Sequence, residues 1–596
     1  MKRILSVLLI LMMIMTLAGC SQGSTVEEAK TVESAIQEGT FTGNGEGKNG
    51  DIEVEVTIAG GVITEAKVLS SGDTEGISDA AITQVIAAVV ANNSTNVEAV
   101  SGASLTSYGL LEAIRDALSK AGATEADFTT DMVIALEKAT EEADQTYDVV
   151  IVGAGGAGLA AAVEASEAGA NVVVIEKMPF IGGNTMVSGG GLNVPGSWAQ
   201  TAVGVDDSIE LYFEDTMKGG DNLANPSLVH ILADNALNAA VWLKDDLGVG
   251  FMEDRLQQFG GHSVARAIIA TGNHGTDLIE KLAARAQENG VTIKTEVKAN
   301  ELLIEDGRVV GIVAEAANGE AITFHAAKGV IMATGGFGSN MEMRMQYNPE
   351  LDDRYMTTDQ PGTTGDGIVM AQAVNAELIG MEYIQTYPMC NPVTGIISYV
   401  ANTRFDGGIL VNVEGERFVN EMDRRDVVSR GILAQTSASA YLLWGQEIET
   451  KGHMTEVHAQ EFATLKDQGL LVEAATLEEA ADAMGVNVEA LTATVADYNQ
   501  FVAGQVELEI AKKGALRPIA EGPFYLQRVV PSVHHTMGGL MINEEAQVIN
   551  QDGEIVEGLF AAGEVTGGIH GSNRLGGNAV TDVIVFGRIA GRNVVK

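Results

Sequence analysis

The feature that most constrains the fold is a glycine-rich turn between a buried strand and a helix. Residues 147–152 read Tyr-Asp-Val-Val-Ile-Val, a short apolar run typical of a buried parallel strand. Residues 153–158 read Gly-Ala-Gly-Gly-Ala-Gly, and a helical pattern and a second strand follow, ending in Glu176. Such glycines let backbone approach a pyrophosphate at a helix N-terminus, and the acid can accept ribose hydroxyls. The segment predicts a dinucleotide-binding α/β fold, with NAD and FAD both open as ligands.

Composition excludes several classes of protein. The formal net charge is −45, which argues against a nucleic-acid partner because such proteins need a basic surface. The two cysteines, Cys20 and Cys390, are too few for a disulfide framework or a four-thiolate metal site. The sequence contains no Cys-x-x-Cys-His, so we expect no attached haem, and we predict no metal site. Redox chemistry would therefore depend on an organic cofactor.

The N-terminus is typical of an export signal. Lys2 and Arg3 precede an apolar run over 4–18, which is too short to span a bilayer. The run ends in Leu-Ala-Gly before Cys20, and this resembles a bacterial lipoprotein box. We therefore predict a signal peptide over 1–20, a lipid anchor at Cys20, and a protein held on the extracytoplasmic side of the cell membrane. The alternative is an ordinary signal peptide with an incidental cysteine.

A small α+β domain is predicted over 36–120. Residues 52–58 alternate apolar and polar side chains, Gly60 and Gly61 form a turn, and 62–68 read as the return strand. The sequence Ser-Gly-Ala-Ser then ends at Ser104, ahead of a helical pattern; on its own this could be a helix cap. The stretch also resembles the FMN-binding domain of bacterial electron-transport proteins, which implies FMN linked covalently to the Ser104 hydroxyl. Residues 121–146 are acidic and alanine-rich and are interpreted as a helical linker.

Further glycine-rich stretches lie far apart, at 181–193, 333–337, 364–367 and 562–579. So many points where backbone can approach a ligand favour a long, extended cofactor. Together with the 153–158 turn they resemble the fumarate reductase / flavocytochrome c flavoprotein family, from residue 147 to the C-terminus. The resemblance implies an α/β fold: a Rossmann-like FAD-binding domain over 147–380 and 532–596, with an inserted α+β capping domain over 381–531.

The resemblance also implies which residues contact non-covalent FAD. Beyond the turn glycines, the implied contacts are spread along the chain from the first helix to the last. The full set is Gly153, Gly155, Ala157, Gly158, Glu176, Asn184, Thr185, Gly189, Gly190, Val297, Asp366, His535, Glu564, Ala579 and Val580.

Three residues are implied to bind and protonate a substrate. By resemblance His534 and Arg574 hold a carboxylate, and a guanidinium is suited to this because it grips a carboxylate in two places. The alternative for Arg574 is an internal ion pair. The proton-donating arginine of the family falls on Arg425. Because guanidinium is a reluctant acid, this role requires close contact and a route of reprotonation.

Two departures from fumarate reductases bear on the substrate. Tyr387 stands where they have a histidine that binds a second carboxylate, and Ala401 stands where their proton relay has a glutamate before a second arginine, here Arg404. Either the relay differs, or Asn402 or Asp406 takes part. The changes argue against a dicarboxylate and favour a monocarboxylate with a ring or an apolar tail, although Tyr387 could serve packing alone. Urocanate reductases, a branch of the family, resemble this pattern.

The resemblance implies an enoate reductase used in respiration, with electrons passing from FMN to FAD to a small unsaturated carboxylate such as urocanate or an arylacrylate. The electron donor would be a flavin or quinol pathway at the membrane or outside the cell. Three alternatives stay open: a succinate-forming fumarate reductase, a flavin dehydrogenase that works in the oxidative direction, and an electron-transfer lipoprotein.

Overall fold

A computed structural model of the protein describes residues 36–48, 50–73, 77–100, 103–128, 143–271 and 274–596. The predicted signal peptide and Cys20 lie outside these residues, as do positions 101 and 102 before Ser104 and residues 129–142 of the predicted linker. Within the described part of the chain, no helix is both long and apolar enough to cross a membrane.

The N-terminal domain is a three-stranded antiparallel sheet with two helices, and the predicted hairpin is confirmed. Alternate residues of the middle strand, among them Val54 and Val56, are fully buried, which explains its apolar–polar pattern. A Cβ on Gly43 would lie 2.0 Å from the carbonyl oxygen of Ala113, so glycine lets the second helix approach the first strand. The elements are β1 (Gly39–Glu46), β2 (Asp51–Ala59), β3 (Val62–Ser71), α1 (Ile77–Asn92) and α2 (Ser104–Lys120), followed by a 3₁₀ turn (Glu125–Phe128).

The central domain begins with the predicted strand–turn–helix. Its first part contains β4 (Asp144–Val152), α3 (Gly156–Glu167), β5 (Val172–Ile175), α4 (Gly183–Met186), β6 (Gly191–Asn193), α5 (Trp198–Val203), α6 (Ile209–Gly219), α7 (Pro226–Val241), a π-helical turn (Trp242–Asp246), β7 (Phe251–Gln257), β8 (Ala267–Ala270), α8 (Thr276–Glu288), β9 (Thr292–Lys294), β10 (Val297–Glu305), β11 (Arg308–Ala316), β12 (Ala321–Met332), α9 (Met341–Tyr347), α10 (Asp366–Gln372) and β13 (Leu378–Ile379). The described ends of the predicted helical linker carry the 3₁₀ turn and the start of β4.

The inserted domain follows, with its own cluster of buried apolar side chains. It contains β14 (Ile384–Cys390), a 3₁₀ turn (Val400–Asn402), α11 (Thr403–Asp406), β15 (Ile409–Val411), α12 (Arg425–Leu433), β16 (Ala440–Trp444), α13 (Gln446–Gly452), α14 (Met454–Val457), α15 (Ala459–Asp467), β17 (Leu471–Ala474), α16 (Leu477–Met484), α17 (Val488–Val502) and β18 (Phe524–Thr536). Its sheet has the order β14-β18-β16-β15, with β17 also paired to β18.

The chain then returns to the central domain through β19 (Gly539–Leu540), β20 (Gln547–Ile549), β21 (Ile555–Ala561) and α18 (Asn578–Val594). The main sheet has the order β10-β11-β12-β4-β5-β9, and β21 pairs with β12. The pairs β12–β4, β4–β5, β5–β9 and β12–β21 are parallel. The carboxyl ends of these strands therefore meet at one edge, where parallel α/β sheets bind their ligands.

Candidate active site

A groove lies at this edge, and its glycines have two different tasks. A Cβ on Gly153, whose φ is +105°, would lie 2.3 Å from the carbonyl oxygen of Ala333, and one on Gly158 would lie 1.9 Å from the carbonyl oxygen of Gly153. These two glycines bring β4, β12 and α3 together. Around a Cβ on Gly155 the nearest atom is the carbonyl oxygen of Gly182 at 3.9 Å. Gly155 therefore leaves room inside the groove itself.

The groove fits a dinucleotide. Helix α3 begins without a capping side chain at Gly155, so its first N–H groups are available to an anion. The Glu176 carboxylate lines the groove and is fixed by the N–H groups of Ala154, at 3.0 Å, and Met178, at 2.9 Å. The buried hydroxyl of Thr334, also in the lining, has no hydrogen-bond partner. The space within the groove is about 940 Å³, part of which is open to solvent. This volume lies within the range of small-molecule and cofactor sites.

A second pocket continues from the groove, because Asn184, Thr185 and Glu564 line both. Helix α18 begins beside it without a capping side chain, and its first turn faces the pocket through Ala579 and Val580. The positive end of this helix is therefore turned toward any electron-rich group in the pocket. The groove and the pocket together form one extended cavity, with the start of α3 in the lining of the groove and the start of α18 in the lining of the pocket.

Most of the predicted cofactor residues line this path, although their roles stay predictions. Gly158 and Gly190 line neither the groove nor the pocket. A Cβ on either residue would overlap backbone atoms, so these two glycines allow close packing behind the cavity. The N–H of Val297 donates to the carbonyl oxygen of Glu176 at 2.9 Å, so it is not free for a ligand. The groove is lined by Gly153, Gly155, Ala157, Glu176, Asn184, Thr185, Val297, Asp366 and Glu564, and the second pocket also by Gly189, His535, Ala579 and Val580.

Four of the predicted catalytic residues converge on the second pocket from four separate segments. Tyr387 comes from β14, Arg425 is the first residue of α12, His534 lies near the end of β18, and Arg574 precedes α18. The long strand β18 starts in the inserted domain and delivers His534 to the central domain. The pocket therefore lies where the two domains meet.

Gln385, which the sequence did not single out, joins two of these residues. Its side-chain oxygen accepts hydrogen bonds from Arg425 Nη1 at 3.1 Å and Arg574 Nη2 at 3.0 Å. Its amide nitrogen donates to Asn573 Oδ1 at 2.8 Å and to the carbonyl oxygen of Arg574 at 2.6 Å. This buried side chain fixes the spacing of two guanidinium groups that would otherwise repel each other. A lone neutral glutamine carries no motif, which is why sequence reasoning missed it.

Neither Arg425 nor Arg574 forms an ion pair within the described residues. Both guanidinium groups donate hydrogen bonds to Gln385 and line the pocket, and Arg574 also donates to the carbonyl oxygen of Leu575. Burial and the neighbouring Arg574 charge lower the pKa of Arg425 well below its ordinary value. Burial likewise lowers the pKa of Arg574 to about 10. The alternative considered for Arg574, an internal ion pair, is therefore not found among the described residues. The lowered pKa also makes Arg425 a stronger acid than a free guanidinium.

His534 is held by the hydroxyl of Thr358, whose oxygen lies 2.7 Å from Nδ1. Burial and the two arginine charges lower the pKa of His534 well below its ordinary value, which favours the neutral imidazole. If Nδ1 accepts the Thr358 hydroxyl proton, Nε2 carries the remaining proton and can donate it to a carboxylate.

Tyr387 lies against two arginines. Its ring is 4.7 Å from Arg425 Cζ and 5.4 Å from Arg404 Cζ, within the range of cation–π contact. Arg404 is buried, its Nε has no hydrogen-bond partner, and it does not line the pocket. Of the two residues considered as substitutes for the missing glutamate, Asn402 lines the pocket and Asp406 does not.

One part of the pocket is uncharged, while the lining elsewhere includes the carboxylate of Glu564 and the imidazole of His535. In this neutral part Tyr399 and Phe259 contribute rings, and Gln257 and Asn402 contribute polar groups. Gln257 is the last residue of β7 and Phe259 lies just beyond it, whereas Tyr399 and Asn402 lie at the 3₁₀ turn Val400–Asn402. None of them belongs to a recognisable motif. Ile269 and Ile397 also line this neutral part.

Ser104 lies in the other domain, as the exposed first residue of α2. Its N-cap residue, Ala103, makes no capping hydrogen bond through its side chain, and the Ser104 side chain is exposed. An exposed hydroxyl at a helix N-terminus suits attachment of a phosphate group.

Comparison with known proteins agrees with these features. A family model described as FAD binding domain matches residues 148–580, and one described as FMN-binding domain matches 47–119. Urocanate reductase from Eggerthella lenta is 42% identical, covering 97% of this chain and 96% of that protein. Fumarate reductase (cytochrome) from Shewanella frigidimarina is 39% identical over 76% of this chain and 77% of that protein. The open conformation of a flavocytochrome c3 fumarate reductase superposes with a TM-score of 0.64 at 36% identity, covering 76% of this chain and 78% of that one.

Fold, groove and family models together define an FAD-binding oxidoreductase with an N-terminal FMN-binding domain. The chain belongs to the flavoprotein family that includes urocanate reductase and the flavocytochrome c fumarate reductases. The predicted family, fold class and enzyme class are thus confirmed, and of the two ligands left open by the glycine-rich turn, FAD is the correct one.

Proposed function

We propose that the protein reduces the carbon–carbon double bond of an α,β-unsaturated monocarboxylate. Bound FAD would supply a hydride to the β-carbon. Arg574 and His534 hold the carboxylate, and their positive and hydrogen-bonding groups stabilise the enolate-like charge that develops on it. Arg425 then donates a proton to the α-carbon, so that one hydride and one proton saturate the bond.

One observation carries this proposal: two guanidinium groups meet in a pocket, with no carboxylate paired to either among the described residues. Buried charges in proteins are normally paired, because leaving water is costly. An anionic ligand that enters the pocket would compensate both charges. In the proposed complex the guanidinium of lowered pKa, that of Arg425, would lie next to the substrate that it must protonate.

The neutral part of the pocket, around Tyr399 and Phe259, favours a substrate with one carboxylate and a ring or an apolar tail. Among the described lining residues the arginines are Arg425 and Arg574, and both lie at the Gln385 bridge. A second carboxylate would therefore lack a cation of its own beside Tyr387 and Tyr399. This argues for an arylacrylate or urocanate over fumarate. The urocanate reductase relative supports the same choice.

We further propose that FMN is attached covalently to Ser104 and passes electrons to FAD from a flavin or quinol pathway. The match to an FMN-binding domain over 47–119 and the exposed Ser104 hydroxyl support this attachment. A lipid anchor at Cys20 would hold the enzyme on the outer face of the cell membrane; the Leu-Ala-Gly-Cys sequence supports it.

The test is anaerobic. The purified holoenzyme is reduced with dithionite, and reoxidation of its flavin is followed after addition of urocanate, cinnamate, acrylate, crotonate or fumarate. The proposal predicts rapid reoxidation by at least one monocarboxylate and slower reoxidation by fumarate. Reoxidation by none of these acids would contradict it. Faster turnover with saturated acids and an oxidising dye would instead indicate a dehydrogenase, and an electron-transfer protein would show no saturable response.

A further inference from the structure

Tyr399 stands out among the residues of the neutral part of the pocket. Its hydroxyl donates a 2.6 Å hydrogen bond to the carbonyl oxygen of Val187, in the central domain. Its ring lies close to Gly189, where a Cβ would be 3.7 Å from Tyr399 Cε1. Because the hydroxyl is occupied, Tyr399 contributes aromatic surface to the pocket. The same hydrogen bond ties this inserted-domain segment to the central domain.

The backbone around Tyr399 is held from outside the pocket by one side chain, Glu461 of α15. Its carboxylate accepts hydrogen bonds from the Ser398 hydroxyl at 2.5 Å, the Tyr399 N–H at 3.1 Å and the Val400 N–H at 3.2 Å. The Ser398 oxygen in turn accepts from Gln527 Nε2 at 2.7 Å. Glu461 itself does not line the pocket. Three bonds from one carboxylate to three consecutive residues leave this segment little freedom to shift.

The side chain of Tyr399 is supported by a residue close to Glu461 in the sequence. The imidazole of His458, between α14 and α15, stacks on the Tyr399 ring with centroids 5.4 Å apart and an interplanar angle of 22°. The ring is therefore fixed by His458 and Val187, and its backbone by Glu461. A side chain held at so many points presents a rigid surface, as specific pockets require.

We propose that Tyr399 is the specificity-determining residue for the substrate tail and that Glu461 is its positioning residue. This inference rests on the proposed reduction of an enoate. The fixed ring selects 2-enoates whose tail is neutral and planar or apolar, because such tails stack on an aromatic face. Short enoates, which do not reach the ring, bind through the arginines alone.

The first experiment compares kcat/KM for cinnamate with kcat/KM for acrylate, so that effects on the shared carboxylate end cancel. Wild type is expected to prefer cinnamate. Tyr399→Ala should lower that preference by about 10-fold or more, in the range that one lost apolar contact contributes to discrimination. Tyr399→Phe keeps the ring and loses only the bond to Val187, and it should keep the preference within about threefold.

The second experiment tests the positioning role. Glu461→Ala removes all three hydrogen bonds and should raise KM for cinnamate with little change in kcat, whereas Glu461→Gln keeps a side-chain oxygen and should recover part of the loss. Glu456→Gln makes the same chemical change as Glu461→Gln, but at an exposed carboxylate on the neighbouring helix α14. It should leave kcat and KM for cinnamate unchanged. Titration of the flavin absorbance with 3-phenylpropanoate and with propanoate gives the same comparison as dissociation constants, without turnover.

The outcomes separate the two proposals. If wild type reduces no enoate, the proposed function fails. If wild type reduces enoates but Tyr399→Ala leaves the cinnamate-to-acrylate ratio and the two dissociation constants unchanged, the assignment of Tyr399 is overturned. If Tyr399→Ala changes the ratio while Glu461→Ala, with full FAD content, does not raise KM, the positioning role is overturned. A variant that loses its flavin is replaced by Tyr399→Leu or Glu461→Gln, to which the same criteria apply.

Discussion

The groove and the second pocket form one continuous cavity, but they are built in opposite ways. The groove is made largely of backbone: the glycines of the 153–158 turn, the uncapped start of α3 and the ends of parallel strands. The pocket is made of large side chains that converge from four distant segments of two domains. The groove offers partial charges from a helix end, whereas the pocket offers two guanidinium groups with no ion pair among the described residues, although the carboxylates of Glu564 and Asp359 act on Arg574 from a greater distance.

This difference in construction suits the groove to binding a cofactor and the pocket to supporting a reaction. Partial charges on fixed backbone attract a phosphate at little cost to the empty fold. Two buried guanidinium groups held close together are costly without an anion between them, and a substrate carboxylate would offset that cost. The interactions that strengthen as charge develops on the substrate are the ones that accelerate a reaction. Substitutions in the pocket should therefore reduce turnover, and substitutions in the groove should reduce FAD content or the free energy of unfolding.

Arg425 should give the largest effect. Arg425→Ala removes the proposed acid and one of the two charges, and we expect kcat to fall by about 10²–10⁴-fold, the range that general acid catalysis contributes. Single-turnover reoxidation of the reduced flavin by cinnamate measures it. Arg425→Lys restores the charge without the planar fork and should recover only part of the loss. FAD content should stay at the wild-type level in both variants; near-normal turnover of Arg425→Ala would show that another group donates the proton.

Gln385 should give the next largest effect. Gln385→Glu places a carboxylate against both guanidinium groups, which stabilises their charged forms and raises the pKa of Arg425. We expect kcat/KM to fall by about 10- to 100-fold, equal to about 1.4–2.8 kcal/mol of transition-state stabilisation. Steady-state assays with reduced viologen measure the change. The matched control is Gln446→Glu, the same substitution on α13 outside the pocket; a Gln385→Glu enzyme as active as this control would contradict the bridging role.

The sequence was a good guide to the groove, because its determinants are local. A strand, three glycines and an acid at fixed spacing are constrained by backbone geometry alone, and both Gly155 and Glu176 line the cavity as expected. The likeness to a known family then located His534, Arg425 and Arg574, and all three meet in the pocket.

The sequence was a poor guide to what surrounds those residues. Gln385, Thr358 and Tyr399 act through contacts between segments that lie far apart in the chain, and none belongs to a motif. The lowered pKa of Arg425 depends on burial and on the nearby Arg574 charge, and only the folded arrangement fixes either. Long-range placement of neutral side chains is therefore the part that sequence reasoning could not reach.

Two glycines of the same turn should fail in different ways. A Cβ on Gly158 would lie 1.9 Å from the carbonyl oxygen of Gly153, so Gly158→Ala should lower the free energy of unfolding by about 1–3 kcal/mol. Gly155→Ala has room within the protein, with 3.9 Å to the nearest atom, but projects a methyl group into the groove. It should keep the stability of the apoprotein and weaken FAD binding. Urea unfolding and flavin titration of both apoproteins distinguish these effects; equal stability losses would contradict the division of tasks.

The smallest effect is expected where the groove and the pocket meet. There Asn184 Nδ2 donates to Asp359 Oδ1 at 3.0 Å and reaches Glu564 Oε2 at 3.5 Å. Glu564 has further donors in the N–H and hydroxyl of Thr536, at 2.9 and 3.2 Å, while Asp359 Oδ2 is buried without a partner. Burial and then the Glu564 charge raise the pKa of Asp359 well above its ordinary value. Asp359 is therefore the member of the pair that keeps the proton.

This assignment predicts the sign of a pH effect. Above the pKa of the unfolded side chain, about 3.9, the folded protein still holds a proton that the unfolded chain has lost. Stability from this site therefore falls as pH rises, by at most about 1.4 kcal/mol per pH unit, until the pH passes the raised pKa of the pair. Asp359→Asn mimics the protonated acid and should remove this part of the slope. Urea unfolding of both holoenzymes between about pH 5 and pH 8 measures the difference. Parallel slopes would mean that the pair carries two negative charges at the junction.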